Sequence, residues 1–416
     1  MQAEIIAIGT ELLLGQTIDT NSAWIGERLA ELGVTLRRKT VVADIPDDVR
    51  AALNSVLPET RWVLITGGLG PTKDDLTKSV LNEYFGGTLA FHPDVYAHIE
   101  AMFARMGRVP GPLNRGQAEL PNVCEPLVNS KGTAPGMMFH RDGVRFVSMP
   151  GVPYEMKHLM EVHVLPRMRA ESDAHIAHRF FMVQGIPESE LAARIGDWES
   201  TLSKGLSLAY LPSPGIVKLR LTARTESADE AERLLEPATE GLRSVLGSDI
   251  FSEDWKTIEE VVGERLAAAG QTVATAESCT GGSIAALLTR VPGSSRYMLG
   301  GIVAYANEIK VRTLGVNEAD LLMHGAVSES VVRAMARGAR KRFGADWGVA
   351  SSGVAGPDGG SAEKPVGTVW LAVSGPGIEW AARFQMGDHR ERTVRKSVLE
   401  VLNRLRGFLP EEPVKY

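Results

Sequence analysis

At three places along the chain an apolar run of strand-forming residues stops at a glycine-bearing turn and passes into helix-forming text. EIIAIG leads through TELLLGQTID to a helix from about Thr20, WVLIT precedes GGLGP, and TVATA precedes ESCTGGSIAALLTR. Strands that alternate with helices in this way build mainly parallel sheets covered on both faces, because each crossover helix packs back onto the sheet. In such sheets ligands bind beyond the carboxyl ends of the strands. The turns are therefore the first places to look for chemistry.

A chain of 416 residues is too long for one compact core of ordinary size, and its text falls into three blocks. The expected fold class is α/β: two three-layer α/β domains with mainly parallel sheets, over residues 1–170 and 253–416, joined by a small α+β domain over 171–252. In the first block a helix is expected from about Thr20 to Leu32, with Asp19 or Thr20 as its cap and Gly33 just past its end. The middle block reads strand, helix, strand, strand, helix and concentrates no catalytic residue types, so a packing role is expected of it. An RNA-binding role would require a Gly-x-x-Gly loop with basic neighbours, and GIPESE supplies neither. The third block opens on the amphipathic TIEEVVGERLAAAG and closes on a helix from about Arg392 to Leu405.

Composition excludes several classes. Net charge is -6 and the basic clusters are short, which argues against direct nucleic-acid or membrane-surface binding. No run approaches the roughly 20 apolar residues of a membrane span, and the start MQAEIIAIG lacks the positive charge of a signal peptide. The two cysteines, Cys124 and Cys279, are far apart with no Cys-x-x-Cys spacing. A cytoplasmic location without a Cys-based zinc site is the expectation.

In TGGLGPTKDD, Gly67, Gly68 and Gly70 allow close approach of a ligand to the backbone. Pro71 and Thr72 are expected to open a helix whose N–H groups attract anions. Asp74 and Asp75 would sit in its first turn, where the dipole favours carboxylates in any case. Glu11, Asp19 and Asn21 should lie nearby, and several acids beside such a loop suit a divalent cation bridging to phosphate. IGTELLLGQTIDTN, TGGLGPTKDDLT, KGTAPG and MPGVPYEM resemble the motifs of the molybdopterin-binding, MogA-like domain in the form found in the CinA (competence- and damage-inducible) family. The resemblance implies a metal-dependent ADP-ribose pyrophosphatase, with Mg²⁺ or a similar cation held by Glu11, Asp19, Asp74 and Asp75. Asn21, Gly67, Gly68, Gly70, Thr72, Thr77, Gly132 and Thr133 would contact the ligand.

In the third block the turn after TVATA aims its side chains into the expected crevice, and the N–H groups of Thr280 to Ser283 are expected to hold an oxyanion or phosphate. A serine there needs a base. His324 and His389 lack serine-hydrolase context, whereas Tyr305 and Lys310 in YANEIK could reach the same crevice. AESCTGG, VPGSSRYMLGG, YANEIK, HGAVSES and SSGVAGPDGG together resemble the CinA C-terminal domain, which also occurs alone as nicotinamide-nucleotide amidase. By position the resemblance makes Ser278 the nucleophile and Tyr305 and Lys310 its activating pair. Thr280, Gly281, Gly282, Ser352, Gly353 and Arg390 become substrate contacts. In GDHRER, His389 interrupts the family's Gly-Asp-Arg, so Arg390 is the nearest match. Cys279 is read as a bystander, and no cofactor is expected at this site.

The resemblance as a whole implies a bifunctional hydrolase of small nucleotides, nicotinamide mononucleotide (NMN) and ADP-ribose, acting in pyridine-nucleotide recycling as a homodimer. The competing reading is a non-catalytic pterin- or nucleotide-binding adaptor linked to competence.

Overall fold

The computed structural model describes residues 1–70, 76–171 and 175–410. They divide into two compact units: Met1–Ala177 with Arg224–Ala231, and His178–Ala223 with the chain from Glu232 onward.

The first unit is built on strands β1 (Gln2–Ile8), β2 (Thr35–Val42), β3 (Trp62–Thr66), β4 (Leu89–Phe91), β5 (Glu119–Pro121), β6 (Glu125–Leu127), β7 (Gly136–Arg141) and β8 (Val144–Met149). Six of them form a sheet in the order β2-β1-β3-β8-β7-β6, while β4 and β5 make a separate antiparallel ribbon. β2, β1, β3 and β8 run parallel, and β7 and β6 continue antiparallel at one edge. Alternation along the strands covers both faces: Ile6, Ile8, Val63 and Ile65 pack with Val80 and Leu81, and Ala3, Ile5, Trp62 and Leu64 pack with Ile25, Leu29 and Leu159. The helix expected after Asp19 runs Thr20–Glu31, with Asp19 Oδ1 accepting from the Ser22 amide at 2.9 Å. The helix expected to open at Pro71 runs Thr77–Tyr84.

The middle strands are β9 (His175–Gln184), β10 (Leu206–Ser213), β11 (Ile216–Thr225) and β12 (Ile250–Ser252), paired in the order β10-β11-β9-β12. Helices Glu188–Ser200 and Ala228–Leu246 accompany them.

The last sheet comprises β13 (Val273–Glu277), β14 (Met298–Val303), β15 (Trp347–Gly353), β16 (Thr368–Gly375) and β17 (Ile378–Gln385), in the order β14-β13-β15-β16-β17. β14, β13 and β15 are parallel, and β16 and β17 are antiparallel. One face buries Val273, Val349, Val369 and Leu371 against helices Ile258–Ala268, Ser283–Arg290 and Arg390–Phe408. The other carries Ala274, Ala276, Ala350 and Ala372, small enough for helix Glu329–Phe343 to lie close. A Cβ on Gly348 would meet the Ala336 carbonyl oxygen at 2.1 Å. The fold is thus α/β with mainly parallel sheets, and the antiparallel strands lie at one edge of each outer sheet. Among the described residues no helix is long and apolar enough to cross a membrane.

Candidate functional site

Each outer sheet reverses its direction of winding at one point, and both candidate clusters lie there. In the first unit the chain leaves β1 toward β2 and leaves β3 toward β8, so the crevice opens beyond Ile8 and Thr66. Gly67, at φ 111°, sits so close to β1 that a Cβ would be 2.0 Å from the Ile8 carbonyl oxygen. A Cβ on Gly68, at φ 65°, would be 2.1 Å from Thr77 Oγ1, a buried hydroxyl with no hydrogen-bond partner among the described residues. A cavity of about 470 Å³ lies here, lined by Glu11, Asp19, Asn21, Gly67, Gly68, Gly70, Thr133 and Glu155 among others. Gly132 does not line it, and a Cβ there would lie 1.9 Å from Glu155 Oε2. Asn21 donates to Thr66 Oγ1 at 3.0 Å and to the Gly151 carbonyl at 2.7 Å, and its Oδ1 is buried without a partner among the described residues. Thr72, Asp74 and Asp75 lie outside the described residues.

Sequence reasoning missed two acids of this cavity. Asp44 accepts from the Thr10 amide at 2.8 Å, and Glu155 accepts from Asn129 Nδ2 at 2.6 Å. Burial raises the Glu155 carboxyl above its ordinary value, outweighing the Asn129 hydrogen bond. It stood in sight within MPGVPYEM but carries no local signal of its surroundings. Asp19 is already engaged: Oδ1 caps the helix, and Oδ2 pairs with Lys39 Nζ at 2.7 Å. Burial pushes this carboxyl up, but Lys39 and the Ser22 amide outweigh burial and hold it below its ordinary value. Oxygen donors suit a hard cation. Among the described residues, however, no three acidic, histidine or cysteine groups converge on one point. These residues do not by themselves make a metal centre.

In the last sheet the crevice opens between the carboxyl ends of β13 and β15. Ser278, partly exposed, follows β13, and its amide donates to the Ser351 carbonyl at 3.0 Å. Glu277, the final residue of β13, is almost fully buried, and sequence reasoning gave it no role. Its carboxylate accepts from Thr280 Oγ1 at 2.6 Å and from the amides of Gly282 (3.0 Å), Ile284 (3.0 Å) and Ala285 (2.8 Å). This acid occupies the N-terminus of helix Ser283–Arg290 from within, which satisfies orphan amides and offsets the helix dipole.

The expected anion cradle at Thr280 to Ser283 is corrected for Gly281, Gly282 and Ser283, whose amides are already taken. The Gly281 amide goes to the Ser278 carbonyl, Gly282 to Glu277, and Ser283 to the Thr280 carbonyl. Thr280 is itself buried, its Oγ1 also 2.7 Å from Ser351 Oγ. Gly281 and Gly282, at φ 61° and 98°, make the left-handed turn that lets the chain pass from strand to helix.

Lys310 is almost fully buried in the first turn of helix Asn307–Leu314, with Nζ donating to the carbonyls of Ala304 at 2.7 Å and Tyr305 at 3.0 Å. Burial lowers its proton affinity below the ordinary lysine value, with Cys279 opposing in small part. Tyr305 is 63% exposed, and its link to Lys310 runs through its carbonyl rather than its phenol. Burial pushes the Cys279 thiol up to about 12, so it stays protonated at neutral pH. Ser352 Oγ donates to the Ala326 carbonyl at 2.7 Å, and a Cβ on neighbouring Gly353 would meet the Thr368 carbonyl oxygen at 2.7 Å. Arg390 begins helix Arg390–Phe408 and donates to the Gly356 carbonyl at 2.9 Å, within electrostatic reach of Cys279.

Three family models match the chain: a probable molybdopterin binding domain over residues 4–170, a damage-inducible protein CinA KH domain over 178–252 and a CinA C-terminal domain over 255–409. The KH match was not expected from the middle block, which carries no Gly-x-x-Gly with which such domains clamp a nucleic-acid backbone. Among solved structures, a competence/damage-inducible protein of Agrobacterium tumefaciens is 38% identical; the match covers 38% of this chain and 98% of that one, with a TM-score of 0.35. A CinA-like protein of Gloeobacter violaceus is 42% identical over 97% of this chain and 96% of its own. With a CinA-like protein of Cytophaga hutchinsonii also 43% identical over 98% of both chains, this chain belongs to the CinA family.

Proposed function

We propose that the C-terminal site is an amidase that hydrolyses NMN to nicotinate mononucleotide and ammonia through Ser278. The observation that carries this reading is the buried Lys310 amine. A neutral amine has two N–H bonds and one lone pair, and the two carbonyls of Ala304 and Tyr305 match the two N–H bonds. The lone pair is then left for an incoming proton. Ser278 Oγ attacks the carboxamide carbon, its proton passes to Lys310, and the carbonyl electrons move to oxygen. When the adduct collapses, the C–N bond breaks and Lys310 returns the proton to the departing ammonia. Water, activated by the same amine, hydrolyses the acyl ester. Arg390 supplies positive charge for the 5′-phosphate. The exposed ring of Tyr305 is available to lie against the nucleotide.

Incubating the protein with NMN should release ammonia and nicotinate mononucleotide in equal amounts. Ser278→Ala should cost at least about a thousandfold in rate, while Cys279→Ala should stay within a small factor of wild type. An inert wild-type protein removes the amidase reading, and an active Ser278→Ala removes the nucleophile.

For the first domain the reading is nucleotide binding, with hydrolysis of ADP-ribose to AMP and ribose 5-phosphate when a divalent cation is present. Glu11, Asp19, Asp74 and Asp75 are the proposed ligands, and Lys39 would have to leave Asp19 for the ion to bind. The Asp19–Lys39 ion pair favours a second reading, a domain that holds a nucleotide or pterin without cleaving it. AMP formation from ADP-ribose with Mg²⁺, abolished by Asp75→Ala, supports hydrolysis. Binding without turnover supports the second reading.

A further inference from the structure

The second unit contains a cavity of about 920 Å³ that neither proposed activity uses, lined by the end of β9, the β10–β11 turn, β17 and the last helix. Trp380 and Phe384 on β17 lie 6.2 Å apart between ring centroids, and Phe408 is 6.5 Å from Trp380. They give it an aromatic wall whose rings are tilted 48° and 57° to one another, and Arg404 lies 5.7 Å from the Trp380 ring centroid, so a flat ring that stacks on Trp380 displaces that guanidinium. Lys396 and Arg404 line it from one face of helix Arg390–Phe408, with Arg404 held by Glu400 at 2.7 Å. Gln184, the last residue of β9, is 4% exposed and lines the same cavity, and its Oε1 has no hydrogen-bond partner among the described residues. A buried amide oxygen left unpaired is costly, so a position of this kind points to a missing donor.

We propose that this cavity binds an adenine nucleotide, its base against Trp380 and Phe384 and its phosphate toward Lys396. A glutamine amide matches the adenine edge in both directions, with Oε1 accepting from the N6 amine and the amide N–H donating to N7. Hypoxanthine has acceptors at both O6 and N7, so it would leave Oε1 unpaired. The cavity therefore discriminates AMP from IMP. Its volume lies within the roughly 300–1,000 Å³ of small-molecule sites, and neither proposed hydrolysis is needed for binding.

The test is photolabelling of the full chain with 2-azido-AMP, which leaves N6 and N7 unmodified, followed by peptide mapping with AMP or IMP as competitor. Adducts should fall within residues 184–188 or 380–408, and AMP should protect at concentrations about tenfold below IMP, the scale of one unmade buried hydrogen bond. Gln184→Met should make the two competitors equal at this cavity. Lys396→Glu, at an exposed position, should weaken the labelling without changing thermal unfolding. Labelling confined to other peptides, or equal protection by AMP and IMP in the wild-type protein, overturns the proposal. If Gln184→Met fails to fold, the wild-type competition and Lys396→Glu decide it.

Discussion

Lys310 links the proposed chemistry to pH. Burial lowers its pKa from the ordinary lysine value of 10.5, and the neutral amine is the active form in the proposed mechanism. The amidase rate should therefore rise with pH through that lowered pKa and level off above it, with the limb below 10.5. Lys310→Arg keeps a permanent cation, so it should abolish the limb and reduce kcat by about a hundredfold or more; an unchanged profile would show that another group is the base. The same shift has a stability consequence of definite sign. The folded state gives up this proton before the unfolded chain does, so resistance to unfolding should rise with pH between the lowered value and 10.5. The cysteines behave oppositely. Burial pushes both thiols up to about 12, so neither Cys124 nor Cys279 should react with a thiol reagent near neutral pH until the chain is denatured.

The turns are the elements on which both crevices depend. Gly67 combines a positive φ with a 2.0 Å approach to the Ile8 carbonyl oxygen, so Gly67→Ala carries a backbone penalty of roughly 1–3 kcal/mol with steric overlap added. A lower Tm and loss of nucleotide binding by the first domain are expected. Gly196→Ala is the matching control. It lies inside helix Glu188–Ser200 with no atom near its added Cβ, and should stabilise the protein by about 0.5–1 kcal/mol in a denaturant titration. Strand–turn–helix units were legible in the sequence because apolar runs, caps and glycines are local signals. β17 was not read, since IEWAARFQ takes its place from pairing with β16 through Gly375–Gly377, and its exposed positions blur the apolar run. Ser278 and Lys310 were singled out as candidates by motif. The roles of Glu277 and Glu155 were not legible, because what a carboxylate accepts from depends on backbone brought to it by folding.

At the scale of the whole molecule the two candidate sites belong to separate compact units. Sites that share no partners respond additively to substitution. Ser278→Ala should leave ADP-ribose chemistry or binding untouched, Gly67→Ala should leave the amidase running, and the double variant should show each defect at its single-variant size. A fall of either activity caused by the other unit's substitution would reveal coupling. Glu277 carries a consequence for inhibitor discovery. Because its carboxylate already takes the amides of Gly282, Ile284 and Ala285, fragments that carry acids or phosphonates should gain nothing from those three donors. Neutral carboxamide mimics are the chemotypes to screen against Ser278, with any anionic tail directed toward Arg390.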